Sequence, residues 1–143
     1  MRIGSTACGI CRKPYYEALG MKIAKTVASL ETGLEIDAQE SAAFRACGLQ
    51  PFVDLRFDRS LLGEPGIIDF YGDWCAATAH TRPDVAEFSV WDEPNCPMIA
   101  PGSTAVTYRE LLAIAYESIK AVRPEAAVYN GGMSVNGETW NIQ

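Results

Sequence analysis

The sequence predicts an α/β fold of about five parallel strands with intervening helices. Strand-like and helix-like patterns alternate along the chain, which implies βαβ units joined by right-handed crossovers. One strand plus one helix occupies about 25–35 residues, the usual size of such a unit. The strand-like run Val85-Ala86-Glu87-Phe88-Ser89-Val90-Trp91 delivers two adjacent carboxylates, Asp92 and Glu93, into a turn marked by Pro94 and Asn95. Strands that carry acids to their C-terminal ends are how α/β scaffolds present chemistry. At 143 residues the chain suits a single domain, 1–143, and no Ser/Gly linker, charge run or low-complexity stretch divides it.

Each element has a local reason. Arg2 to Ala7 reads as a short strand. A loop through Gly9 leads to Pro14, placed as the first residue of a short helix that Gly20 stops. Met21 to Leu30 reads as a strand, with apolar and basic residues alternating over Met21–Val27. Asp37, with Glu40 three residues on, forms a capping-box pattern for a helix from Ala38 to about Cys47, and Gly48 ends it. Pro51 to Phe57 is a strand whose first residue tolerates the missing N–H; Asp54, Arg56 and Asp58 lie toward its end. Ile67 to Ala79 is a helix with Ile68, Tyr71, Cys75 and Ala79 near helical spacing. After the Asp-Glu strand, a loop with Pro and Gly runs over Cys96–Gly102. Ser103 and Thr104 then precede a helix over Val106–Ala121, whose expected buried stripe is Leu111, Leu112, Ala115, Tyr116, Ile119 and Val122. Pro124 stops it. Ala126 to Asn130 is the fifth strand, ending in Gly131-Gly132, and Met133–Gln143 reads as loop.

Composition narrows the function. The net charge is −6 and the basic residues are scattered, so no clustered cationic surface for nucleic acid is evident. No apolar run approaches the ~20 residues of a membrane span. The first residues, Met1 to Cys8, lack the apolar segment of a signal peptide, which leaves the cytoplasm as the default compartment. Five cysteines, Cys8, Cys11, Cys47, Cys75 and Cys96, make no complete disulfide framework, and reduced thiols are expected.

The Asp92–Glu93 pair carries the most chemistry. Glycosidic bonds are broken with two carboxyl groups, one protonating the leaving oxygen and one stabilising or attacking the sugar carbon. Two carboxylates held close also resist ionising together. Read alone, the pair fits solvated loop residues better. Phe88-Ser89-Val90-Trp91-Asp92-Glu93-Pro94-Asn95, however, resembles the fourth-strand Trp-Asn-Glu-Pro-Asn motif of the clan-A retaining glycoside hydrolases. The resemblance extends to Thr107–Leu112, Ala115–Pro124 and Tyr129–Ser134, which look like the next helix and fifth strand of β-xylosidase-like and cellulase-like members. It extends also to Ala46–Leu55, which looks like the approach to strand three. It implies a partial (β/α)8, or TIM, barrel covering strands one to five, because a whole barrel needs roughly 250 residues.

By that resemblance Glu93 is the general acid/base, and Asp92 stands where the family has an asparagine that bonds the sugar 2-OH. Trp91, Asn95, Asp54, Arg56, Tyr129 and Asn130 would line the sugar subsite, with Trp91 the best placed of Trp74, Trp91 and Trp140 to stack on a sugar. The Asn-to-Asp departure suggests a second chemistry, in which an adjacent Asp-Glu pair serves substrate assistance by an acetamido group. The nucleophile that clan-A enzymes take from strand seven is not in these residues, and Glu138 is the nearest stand-in. A carbohydrate substrate is the implied partner, with neither metal nor cofactor called for, and open barrel edges would favour homo-oligomers.

Two other readings stay open. One is a catalytically inactive carbohydrate-binding or interaction domain. The other is a thioredoxin-like redox protein using Cys8 and Cys11, although Ile10 stands where that family has proline. His80 fits a helix C-terminus better than a catalytic role, and Gly131-Gly132 fits a turn better than a phosphate loop.

Overall fold

Every strand of the sheet runs the same way, and the strands stand side by side in chain order. The computed structural model describes residues 4–5, 22–29, 33–56, 61–96 and 104–134. Its elements are β1 Gly4–Ser5, β2 Ile23–Ser29, α1 Gly33–Ala46, β3 Gln50–Arg56, α2 Ile67–Thr81, β4 Glu87–Val90, α3 Ala105–Val122 and β5 Ala127–Asn130. The sheet order is β1-β2-β3-β4-β5, all parallel. An order that never reverses, crossed over with one hand, places successive helices on one face of the sheet. That is the winding of a barrel wall, and it lacks the switch-point crevice of a doubly wound sheet.

Strand alternation then divides the residues into two faces. Val53 and Leu55 of β3 and Phe88 and Val90 of β4 point to the helices. There they pack with Tyr71, Cys75 and Ala79 of α2 and Leu111, Ala115 and Ile119 of α3 in a buried core. The opposite face carries two cross-strand rows. One is Lys25, Phe52, Glu87 and Ala127; the other is Val27, Asp54, Ser89 and Tyr129. So the strands put an oily layer on one side and a charged, aromatic layer on the other.

The helices are fixed at their ends. The Thr104 hydroxyl accepts from the Thr107 N–H at 3.1 Å and caps α3. Beyond its other end, the Arg123 guanidinium donates to the carbonyls of Arg82 at 2.8 Å and Val85 at 2.7 Å. Gly72 lets α2 and α3 close up: a Cβ there would lie 2.6 Å from Ile114 Cγ1. Arg82 grips Asp84 through two bonds of 3.0 Å, and Arg45 from the end of α1 reaches the same carboxylate.

Three expectations change. The backbone is helical from Gly33, so Asp37 and Glu40 stand inside α1 and do not form its cap; an interior aspartate costs only about half a kcal/mol, less than a further helical turn can return. The buried stripe of α3 is Tyr108, Leu111, Ala115 and Ile119, while Tyr116 and Val122 are exposed on its open flank. Cys75 and Cys96 are free as expected, but Cys47 is disulfide-bonded. The short helix after Pro14, Cys8 and Cys11, Asp58, Glu138 and Trp140 all lie outside the described residues.

Candidate active site

The C-terminal ends of β3, β4 and β5 are fastened from the helix side by two tyrosines. Tyr71 of α2 donates its hydroxyl to the Leu55 carbonyl at 2.8 Å, and Tyr108 of α3 donates to the Val90 carbonyl at 2.9 Å. Tyr108 also accepts the Gly131 N–H at 2.6 Å, which ties the end of β5 to the end of β4. Burial pushes the Tyr108 hydroxyl up to about 12, with the charges of Asp54 and Asp92 adding to the rise against the Gly131 hydrogen bond. Burial likewise raises Tyr71 well above its ordinary value. Both hydroxyls therefore stay protonated and donate.

Beyond Val90 the chain turns sharply. Trp91 has φ 49° and Glu93 φ 52°, both in the left-handed region. Such conformations cost about 1–3 kcal/mol each for residues other than glycine, and they persist only when the surroundings over-determine them. The surroundings here are explicit. Trp91 N–H donates to the Leu55 carbonyl at 3.2 Å, and Glu93 N–H donates to the Gly132 carbonyl at 2.8 Å. Asn95 holds Ser134 from both sides, Nδ2 to the carbonyl at 3.0 Å and Oδ1 from the N–H at 2.7 Å. Gly131 must lack a side chain, since a Cβ would fall 1.7 Å from the Trp91 carbonyl oxygen.

The carboxylates differ in their surroundings. Asp54 is fully buried on the charged face, where Arg56 Nε donates to it at 3.0 Å and Ser89 Oγ at 2.8 Å. Asp92 is ion-paired to Lys25 Nζ at 2.6 Å, with Arg56 Nη2 at 3.8 Å. Glu93 is half-buried, and its carboxylate makes no hydrogen bond or ion pair with any described residue. It is the acid at this edge that remains available to a ligand.

The other expected subsite residues are spread. Arg56 joins Asp54 and Asp92 in one charged cluster. Tyr129 shares their face, exposed, with its ring 5.9 Å from that of Phe52. Asn130 is in register with Val90, on the opposite face, beside a cavity of about 630 Å³ along α3 and β5. The Trp91 ring is packed in the core, and Asn95 is buried and spent on Ser134. Trp74 stacks on Tyr71, and His80 is exposed in the last turn of α2. Sequence reasoning missed Lys25, Ser89 and the two tyrosines. The signal for Lys25 was present: it is a basic residue on the alternating pattern of β2.

Among the described residues no cluster of His, Cys, Asp and Glu could hold a metal, and no helix is long and apolar enough to cross a membrane. No protein-family model matches the chain, and no curated protein matches it significantly. Solved structures do. A monomeric β-xylosidase from Caulobacter crescentus CB15 superposes with TM-score 0.61 at 22% identity, over 90% of this chain and 35% of that one. A family 1 β-glucosidase from Thermotoga maritima superposes with TM-score 0.60 at 17% identity, over 82% of this chain and 35% of that one. The chain spans about a third of the length of these enzymes, and over that span it has their fold, part of a (β/α)8 barrel.

Proposed function

We propose that this domain acts on O-glycosidic bonds with Glu93 as general acid/base. The supporting observation is that Glu93, alone among the acids at the C-terminal edge of β4, has a carboxylate unengaged by described residues, on a glycoside hydrolase fold. In the reaction, the Glu93 carboxyl gives its proton to the glycosidic oxygen as the bond from that oxygen to the sugar carbon breaks. The leaving group departs as an alcohol. Glu93, now a carboxylate, takes a proton from the water whose oxygen bonds to the same carbon. The positive charge that develops on the sugar needs a second group. Neither Asp54 nor Asp92 is free for it, so the group comes from elsewhere in the barrel or from an acetamido arm of the substrate. In this reading Arg56 and Tyr129 border the sugar, and Asp54, Trp91, Asn95 and Asn130 act from behind it.

Aryl β-xylosides, β-glucosides and N-acetylglucosaminides test the proposal. The wild type should release the aryl group, and Glu93→Gln should lower kcat/KM by about 100-fold or more on leaving groups that need a proton. One observation favours the inactive carbohydrate-binding reading instead: no second unengaged carboxylate faces Glu93 among the described residues. If wild type and Glu93→Gln are equally inert while both bind the sugars, that reading stands and the hydrolase reading falls.

A further inference from the structure

The acid that departs from the family motif is also the one with the shortest ion pair at the site. Asp92 stands between two residues forced into the left-handed region, Trp91 and Glu93. Its Oδ2 is held by Lys25, which reaches up from the middle of β2 with its side chain 14% exposed, and Arg56 of β3 lies 3.8 Å away. Its Oδ1 lies against the turn after β5, 3.3 Å from where a Gly132 Cβ would be. Thus Asp92 is ion-paired from β2 and β3 and lies beside the turn after β5, while the next residue is left with a carboxylate facing no described partner. An asparagine could not do this, because its neutral amide offers no charge to an ammonium.

We propose that Lys25 is a positioning residue for Glu93. The Lys25–Asp92 ion pair holds the strained Trp91–Glu93 turn, and the turn aims the Glu93 carboxyl; aspartate replaces asparagine in this motif because Lys25 supplies the charge that balances it. The inference rests on the hydrolase reading for its catalytic consequence, but not for the coupling itself. A released turn would relax toward ordinary backbone angles and swing the acid away from the leaving oxygen.

The test compares Lys25→Met, Asp92→Asn, the double variant and Lys25→Arg in the full chain. Two substrates are used: an alkyl β-xyloside, whose leaving oxygen needs a proton, and a 2,4-dinitrophenyl β-xyloside, whose leaving group departs unaided. For Lys25→Met, kcat/KM on the alkyl substrate should fall at least about tenfold, while the dinitrophenyl substrate changes less than about threefold. The double variant breaks the same ion pair, so it should lose no more than Lys25→Met alone, and Lys25→Arg should retain activity on both. Equal losses on the two substrates, or losses of Lys25→Met and Asp92→Asn that add in the double variant, overturn the proposal.

If the wild type turns over neither substrate, the hydrolase reading fails separately, and hydrogen exchange of the Glu93 amide decides the coupling. That amide, bonded to the Gly132 carbonyl, should exchange at least about tenfold faster in Lys25→Met and no faster still in the double variant. Unchanged exchange overturns the proposal. Should Lys25→Met not fold, Asp92→Asn set against the double variant makes the same comparison.

Discussion

Gly131 is the residue on which the β4–β5 edge closes. Its missing side chain lets the strand end pass the Trp91 carbonyl, and its N–H is taken by Tyr108. Gly131→Ala should therefore cost about 3 kcal/mol or more in urea unfolding, because the clash is with rigid backbone. At Gly132 the same change meets only Asp92 Oδ1 at 3.3 Å and should cost well under half as much. How far such residues were legible in sequence follows from the range of their contacts. The place of Glu93 just beyond β4 was legible because its neighbours, Trp91, Asp92, Pro94 and Asn95, form one contiguous motif. The partner of Lys25 was not, because Asp92 lies beyond α1, β3, α2 and β4 and nothing in β2 marks which carboxylate the lysine meets. Trp91 misled for a related reason: a tryptophan beside an acid looks like a sugar platform, but the left-handed turn at its own backbone sends the ring into the core. Gly131 was read as a turn glycine, whereas close approach is what demands it.

At the scale of elements, the link between α1, α2 and β4 is electrostatic. Burial pushes the Asp84 carboxyl up, but the hydrogen bonds and charge of Arg82, with Arg45 beside them, outweigh that and hold it below its ordinary 3.8. A group whose value is lower folded than unfolded contributes stability above the unfolded value and loses it as pH falls through the folded one. Wild type should therefore lose its advantage over Asp84→Asn below about pH 4, read as a narrowing gap between their urea midpoints at pH 7 and pH 3. The pair is partly exposed, so the gap at pH 7 should be modest. The strands and α2 were readable from period and punctuation, since Gly48, Pro83 and Pro124 stop the chain where the structure turns. The capping-box pattern at Asp37 was a false start, because local capping is a small term beside packing of the whole helix. The outward Tyr116 and Val122 of α3 show the same limit: apolar spacing marks a stripe, but only the neighbours decide how wide a stripe is covered.

At the scale of the whole molecule, the described residues form a section of barrel wall whose helix side is covered. Cys75 sits at the centre of the covered side, where burial pushes its thiol up to about 12 against the opposing hydrogen bond from Tyr71. Half-exposed Cys96 should react with iodoacetamide in the native protein, and Cys75 only at a rate that follows global unfolding. Mass spectrometry across a urea series would show this, and prompt native labelling of Cys75 would contradict the packing. The other side of the wall, with Phe52, Tyr129 and the charged cluster, carries both apolar and charged groups, as the inner surface of a barrel does. The parallel, sequential wall was legible in the alternation of elements. The likeness to glycoside hydrolases was legible chiefly through the eight residues around Glu93, since composition and periodicity are shared by many α/β folds.

The two fastening tyrosines have a wider consequence. Each helix bonds back to the end of the very strand that precedes it, Tyr71 to Leu55 and Tyr108 to Val90. These two strand–helix connections are thus pinned shut at their roots, whatever the length of chain above the pin. Insertions between Arg56 and Leu61, or between Cys96 and Thr104, should then leave the wall beneath them in register.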